Sequence, residues 1–234
     1  WFDYITELWI NSLLSSPKTL LVNSISNMAN TIMSPVERAT AAGVESILAP
    51  LSGRARERFF AEVPADAYGA YAGLIDGVKA WLKVVREGIN PAEATKYDFS
   101  QKAFKGKLGQ LIRAPGTFLE AADAGHAAIN ERAAMEALVI RMVRKEGLKG
   151  DERVARMAEL KLNPTKGMLR EVRDTAQYRL FRNELTGWVG DLQKYRNKHP
   201  WIRLIIPFLR TPANLVTYGL VRSPLGIFNK NMWR

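Results

Sequence analysis

Between Thr19 and Val36 the chain carries no charged residue. Wound at 3.6 residues per turn, Leu21, Ile25, Ala29, Ile32 and Val36 fall on one stripe, and Asn23, Asn27, Asn30 and Ser34 fall on another. A solvated helix face normally carries Lys and Glu, so a face of Asn and Ser points to a polar side that is itself covered. Other helices, another subunit or a membrane environment would each do this, and an Asn ladder buried in a larger soluble assembly fits as well. Too rich in Asn and Ser to enter lipid alone, the run is no ordinary transmembrane helix. Nowhere does the chain contain roughly 18 strongly apolar residues in succession.

The segment Ser15 to Leu51 reads as two helices. Ser16-Pro17 and Ser34-Pro35 each place a hydroxyl before a proline at the first helical position, and Glu37 would complete a capping box with Ser34. Trp1 to Leu14 reads as a further helix, with Phe2, Ile5, Leu8, Trp9, Ser12 and Leu13 on one face. These elements make a charge-poor helical block, 1–53, with the Asn/Ser face. Composition then changes at Arg54, Arg56 and Arg58, opening a basic helical region over 54–198. Pro-punctuated hydrophobic sequence follows over 199–234, where Trp201, Ile202, Leu204, Ile205, Ile206, Phe208 and Leu209 crowd around Pro207. Such a cluster suits an interfacial membrane segment or a strap closing a bundle.

Within the basic region, Val63 to Glu87 places Tyr68, Tyr71, Leu74, Ile75, Val78, Trp81, Leu82 and Val85 at helical spacing. Small residues between them would let neighbours approach closely, and Gly88 would stop the helix. Asn90-Pro91 and Asn163-Pro164 repeat the cap-and-proline device. Tyr97 to Lys107 reads as irregular, Thr117 to Lys145 as the longest helix, Asp151 to Leu160 as a short one, and Met168 to Tyr195 as helical with a break near Gly187 and Gly190. Thr211-Pro212 caps a last helix over Ala213 to Val221. No segment alternates with period two, so the expected fold is all-α: a multi-helix bundle or extended helical array without β-sheet.

With no cysteine and only His126 and His199, thiol, disulfide and histidine-metal chemistry are not expected. No phosphate-binding loop, nucleophile elbow, zinc-protease or dinucleotide motif occurs, and acidic pairs such as Glu131 and Glu136 lie among Arg and Lys. The chain therefore reads as non-enzymatic, with no cofactor. A net charge of +11 over 234 residues favours acidic partners, either nucleic acid or an anionic membrane face. Arg54, Arg56 and Arg58, with Lys102, Lys105 and Lys107 set among aromatics, are candidates for DNA-backbone binding. Asn23, Asn27, Asn30, Trp201, Ile205 and Phe208 are candidates for assembly or membrane contact. Beginning at Trp1 rather than Met, the chain reads as a segment of something longer, and Asp3 and Glu7 stand where a secretory leader would be basic, so no secretory signal is expected.

Two stretches carry a resemblance. Ser16-Pro17-Lys18-Thr19 followed by Asn23, Asn27 and Pro35-Val36-Glu37-Arg38 is one, and Pro207-Phe208-Leu209-Arg210-Thr211-Pro212-Ala213-Asn214 before Ser223-Pro224 is the other. Both resemble segments of phage internal virion or ejection proteins, the large polyvalent proteins packed in the phage head. That resemblance implies a structural module, expelled with the genome, that helps build a conduit for DNA across the host envelope. It implies a homo-oligomer, portal, tail or other ejection proteins as partners, non-specific DNA contact, and passage from the virion to the host periplasm or inner membrane. The alternatives are a non-specific nucleic-acid-binding helical module and a non-catalytic part of a polyvalent protein of a mobile element.

Overall fold

The computed structural model describes residues 1–88, 103–199 and 201–222. These residues form helices α1 (Phe2–Leu14), α2 (Pro17–Leu51), α3 (Glu62–Glu87), α4 (Gly106–Lys145), α5 (Gly150–Leu162), α6 (Lys166–Arg179), α7 (Gly187–Lys198), α8 (Ile202–Ile205) and α9 (Arg210–Arg222), with no strand among them. The all-α expectation holds. The chain divides into two compact units, one from Trp1–Leu21, Glu87–Glu120 and Phe181–Arg234, the other from Val22–Arg86 and Ala121–Leu180. Each is discontinuous, whereas composition divides the chain in order after residues 53 and 198.

The largest departure from the sequence reading is α2. Pro17 occupies its first position as expected, but Ser34-Pro35 starts no second helix, and Pro35 lies inside one 35-residue helix. An internal proline forfeits a backbone hydrogen bond. Anchors on either side hold the helix through it: the Thr31 hydroxyl donates to Asn27 O at 2.9 Å, and Ser34 and Arg38 bond to α3. The helix ends where Gly53, at φ 64°, donates to Pro50 O while Arg54 N donates to Ala49 O. That pair of bonds satisfies carbonyls that the last turn would otherwise strand.

Other boundaries also moved. The long helix begins at Gly106, not Thr117, and passes through Pro115. Thr165, not Asn163, caps α6 by accepting from Met168 N at 3.2 Å, while Asn163 ends α5. The region Met168 to Tyr195 breaks over 180–186, with Phe181 in a left-handed conformation at φ 56°. Asn90-Pro91 and most of the stretch Tyr97 to Lys107 lie outside the described residues.

In the second unit, Ala134, Leu138, Val139 and Val143 of α4 pack with Leu160, Met168 and Val172 to form an aliphatic core. In the first, Ile10, Leu14 and Leu119 form a smaller one, with Leu20 and Phe208 against it.

Candidate functional site

The polar stripe of α2 faces inward. Asn23 and Asn27 both donate through Nδ2 to Oδ1 of Asp123, at 2.7 and 2.8 Å, and Asn30 Nδ2 donates to Arg179 O at 3.0 Å. Asn27 is buried, and Asn23 and Asn30 are half-buried. Many of the α2 side chains that face solvent are aliphatic, with Ile25 61% and Ile32 66% exposed. For Asn23, Asn27 and Asn30 the covering surface is thus supplied by α4 and the end of α6 of the same chain.

α3 is sorted in the same sense. Glu62, Asp66, Gly69, Gly73 and Gly77 are its buried residues, spaced by three or four so that they share one face. A Cβ at Gly69 would come within 2.7 Å of Ala133 Cα, and one at Gly77 within 2.9 Å of Gly125 O, so the glycines let α3 lie directly against α4. Tyr68, Tyr71, Leu74, Ile75 and Val78 consequently point outward. In the first unit α1 repeats the pattern in part: Glu7 and Asn11 are buried beside Ile10 and Leu14, whereas Ile5, Leu8 and Trp9 are exposed.

A continuous polar network fills the interior behind α2 and α3. Asp66 Oδ1 accepts from Arg38 Nε at 2.9 Å and Arg179 Nη2 at 2.8 Å, and its Oδ2 accepts from Ser34 Oγ at 2.6 Å. Glu62 Oε2 accepts from Arg38 Nη1 and from two nitrogens of Arg141, and Arg141 Nη1 reaches Glu171 Oε1 at 2.8 Å. Arg179 Nη1 donates to Asn130 Oδ1, and Asn130 Nδ2 donates to Thr31 Oγ1. Burial alone would raise the Asp66 carboxyl, but Arg179 and Arg38, aided by Ser34, hold it below the usual carboxylate range. Burial lowers the Arg38 guanidinium, partly against the pull of Asp66. For Arg141 burial also pulls downward, yet Glu62 and Glu171 outweigh it and raise the guanidinium.

The same device recurs in the first unit. Buried Glu7 accepts from Arg113 Nη1 at 2.6 Å and from the backbone N–H groups of Ala103 and Phe104 at 2.7 and 3.1 Å, pinning the chain that enters α4.

The remaining candidates are dispersed. Arg54 is engaged by Glu45 at 3.1 Å, and Arg56 sits 6.0 Å from the Phe59 ring centroid. Lys105 and Lys107 are exposed, and Lys102 lies outside the described residues. Trp201 and Ile205 are exposed, whereas Phe208 packs on Ile10, Leu14 and Leu119 as a strap. Arg196, buried, donates through Nη1 to Ile206 O and Pro207 O and so fixes that strap. Among the described residues no group of three or more His, Asp or Glu could hold a metal ion, and no helix is long and apolar enough to cross a membrane.

Glu62, Asp66, Asp123, Arg141 and Arg179 were not among the sequence candidates. For the first two a signal existed: on a helical wheel they share the stripe of Gly69, Gly73 and Gly77, and a glycine stripe marks a face of close approach. Comparison with protein-family models, curated proteins and solved structures gives no match.

Proposed function

We propose that the chain is a structural helical module of a phage internal virion (ejection) protein, expelled with the genome to help form a conduit for DNA across the host cell envelope. The observation that carries this reading is the reversed sorting of α2 and α3, where Asn27, Ser34, Glu45, Glu62 and Asp66 are buried while Ile25, Ile32, Tyr71 and Ile75 face outward, joined by exposed Ile5, Leu8 and Trp9 on α1. Exposed apolar surface on that scale marks a face made to be covered. A conduit component meets such covering in sequence, from neighbouring virion proteins and then from the envelope.

The internal network serves the same end. Buried ion pairs are weak stabilisers compared with well-packed hydrocarbon, but broken pairs are costly, so a complete network admits few alternative packings. A module with this interior keeps its helices in register while its outer faces exchange one cover for another. Its charge of +11 suits both the genome and anionic lipid. The one hydroxyl beside a carboxylate in this network, Ser34 on Asp66, is buried along with its partner, and the role we propose is mechanical.

The test is to follow the chain through infection. Mass spectrometry of purified particles, electron microscopy of their interior and fractionation of the host envelope after adsorption should find it first inside the virion and then with the envelope. Its absence from purified particles would overturn the reading.

A further inference from the structure

We propose that the outward faces of α2 and α3 seat on an anionic phospholipid surface; the inference rests on the envelope-contact function above and names the partner of that contact. The two helices are neighbours, joined by Ser34 and Arg38 to Asp66 and by Arg38 to Glu62. Asn27 pairs with Asp123 and Thr31 with Asn130, whereas Gly73 lies against Ile129 and Gly77 against Gly125. α2 therefore runs with α4, and α3 runs against both.

On α2 the exposed side chains include Val22, Ile25, Met28, Ile32, Met33 and Val36, with no charge from Thr19 to Val36. On α3 they include Tyr71, at 74%, and Ile75, at 66%. The α3 face changes character just after Val78, where exposed Lys79, Lys83 and Arg86 follow. Because α3 runs against α2, these cations lie toward the N-terminal end of α2.

Charge complementarity selects the occupant. Aliphatic side chains bordered by Lys and Arg match a surface with acyl chains below and phosphates above, and tyrosine rings favour the level between. A second copy of this chain would bring +11 against +11, with Lys79, Lys83 and Arg86 on both sides. Anionic headgroups turn those cations from repulsive to attractive. The buried polar network permits this seating, because Asn27 of α2 and Glu62 and Asp66 of α3 make their hydrogen bonds inside the unit.

The experiment is flotation of the 234-residue chain with phosphatidylcholine vesicles containing or lacking phosphatidylglycerol, at low and high salt. The chain should float with the phosphatidylglycerol vesicles and do so less at high salt. Ile32→Asp and Ile75→Asp, with folding checked by circular dichroism, should each lower the bound fraction by about tenfold or more. Leu162→Asp, at the still more exposed end of α5, should not. The double variant Lys79→Glu/Lys83→Glu should lose the phosphatidylglycerol preference. Since the chain has no cysteine, Met28→Cys and Leu162→Cys each accept one polarity-sensitive label. The label should shift blue on vesicles at position 28 only.

No flotation, equal flotation of Ile32→Asp and the parent, or a label at 28 that stays in water would overturn the proposal. So would a parent oligomer that Ile32→Asp dissolves without changing flotation, which would make the face a protein interface. Absence of the chain from virions would remove the proposed function and leave the vesicle result standing.

Discussion

The Ser34 hydroxyl lies 2.6 Å from Oδ2 of Asp66, and that bond links the polar stripe of α2 to the buried acids of α3. Spent on Asp66, the hydroxyl does not cap a helix at Pro35. The carboxylate it reaches is fully buried and also shared by Arg38 and Arg179.

Asp66 should therefore be among the costliest side chains to remove. Asp66→Asn leaves two guanidinium groups without their shared counter-charge, a loss of about 3–5 kcal/mol by the usual cost of breaking a buried pair. Ser34→Ala removes one donor and should cost about 1–3 kcal/mol. Urea unfolding followed by circular dichroism measures both. Similar and small losses would mean that water replaces the network at little cost.

The same carboxylate gives the unit an acid limb. Its folded-state pKa is depressed, so the unfolded chain binds the proton more readily, and Asp66 contributes stability that is complete above the unfolded value of about 3.9 and disappears as pH falls through the folded one. Urea midpoints should hardly change from neutral pH down to about 5 on this account and then drop below about 4. In Asp66→Asn that part of the drop should be missing. A limb of unchanged size in the variant would assign it to other carboxylates.

Helix content was legible because periodicity is local. Which face of a helix turns inward was not, because an apolar stripe is assigned to the core by default and α2 and α3 break that default. The Asn ladder of α2 did signal a covered polar side. Its partner Asp123 lies some hundred residues away in the helix read as the longest, and no local pattern joins the two. Pro35 misled for a related reason: a Ser-Pro pair looks the same in sequence whether the hydroxyl caps its own helix or bonds to Asp66.

Two glycines should respond oppositely to alanine. A Cβ at Gly69 would meet Ala133 Cα at 2.7 Å and Arg132 O at 2.8 Å, both backbone atoms that cannot swing away. Gly69→Ala should push α3 off α4 and cost about 1–3 kcal/mol. At Gly219 in α9 nothing lies within 4 Å, and alanine there should stabilise the helix by about 0.5–1 kcal/mol through lost chain entropy. Thermal melts would show one midpoint falling and the other holding or rising. Equal shifts would contradict the close approach at Gly69.

Asn27→Asp and Ile205→Glu should fail for different reasons. Asn27 Nδ2 is 2.8 Å from Asp123 Oδ1, so an aspartate there sets two carboxylates at hydrogen-bond distance in a buried site where both cannot ionise cheaply. The unit should lose stability at neutral pH and recover part of it near pH 5, where one carboxyl takes a proton and can donate to the other. Ile205 is 70% exposed, so Ile205→Glu should leave folding within about 0.5 kcal/mol while weakening whatever covers that side chain. Glu159→Lys serves as the control, since Glu159 makes an exposed 2.8 Å pair with Arg156 in α5. Chemical denaturation against pH, run beside particle yield and DNA delivery, separates the cases. If Asn27→Asp folds like the parent at neutral pH yet blocks assembly, its side chain contacts a partner and the internal bond to Asp123 is dispensable.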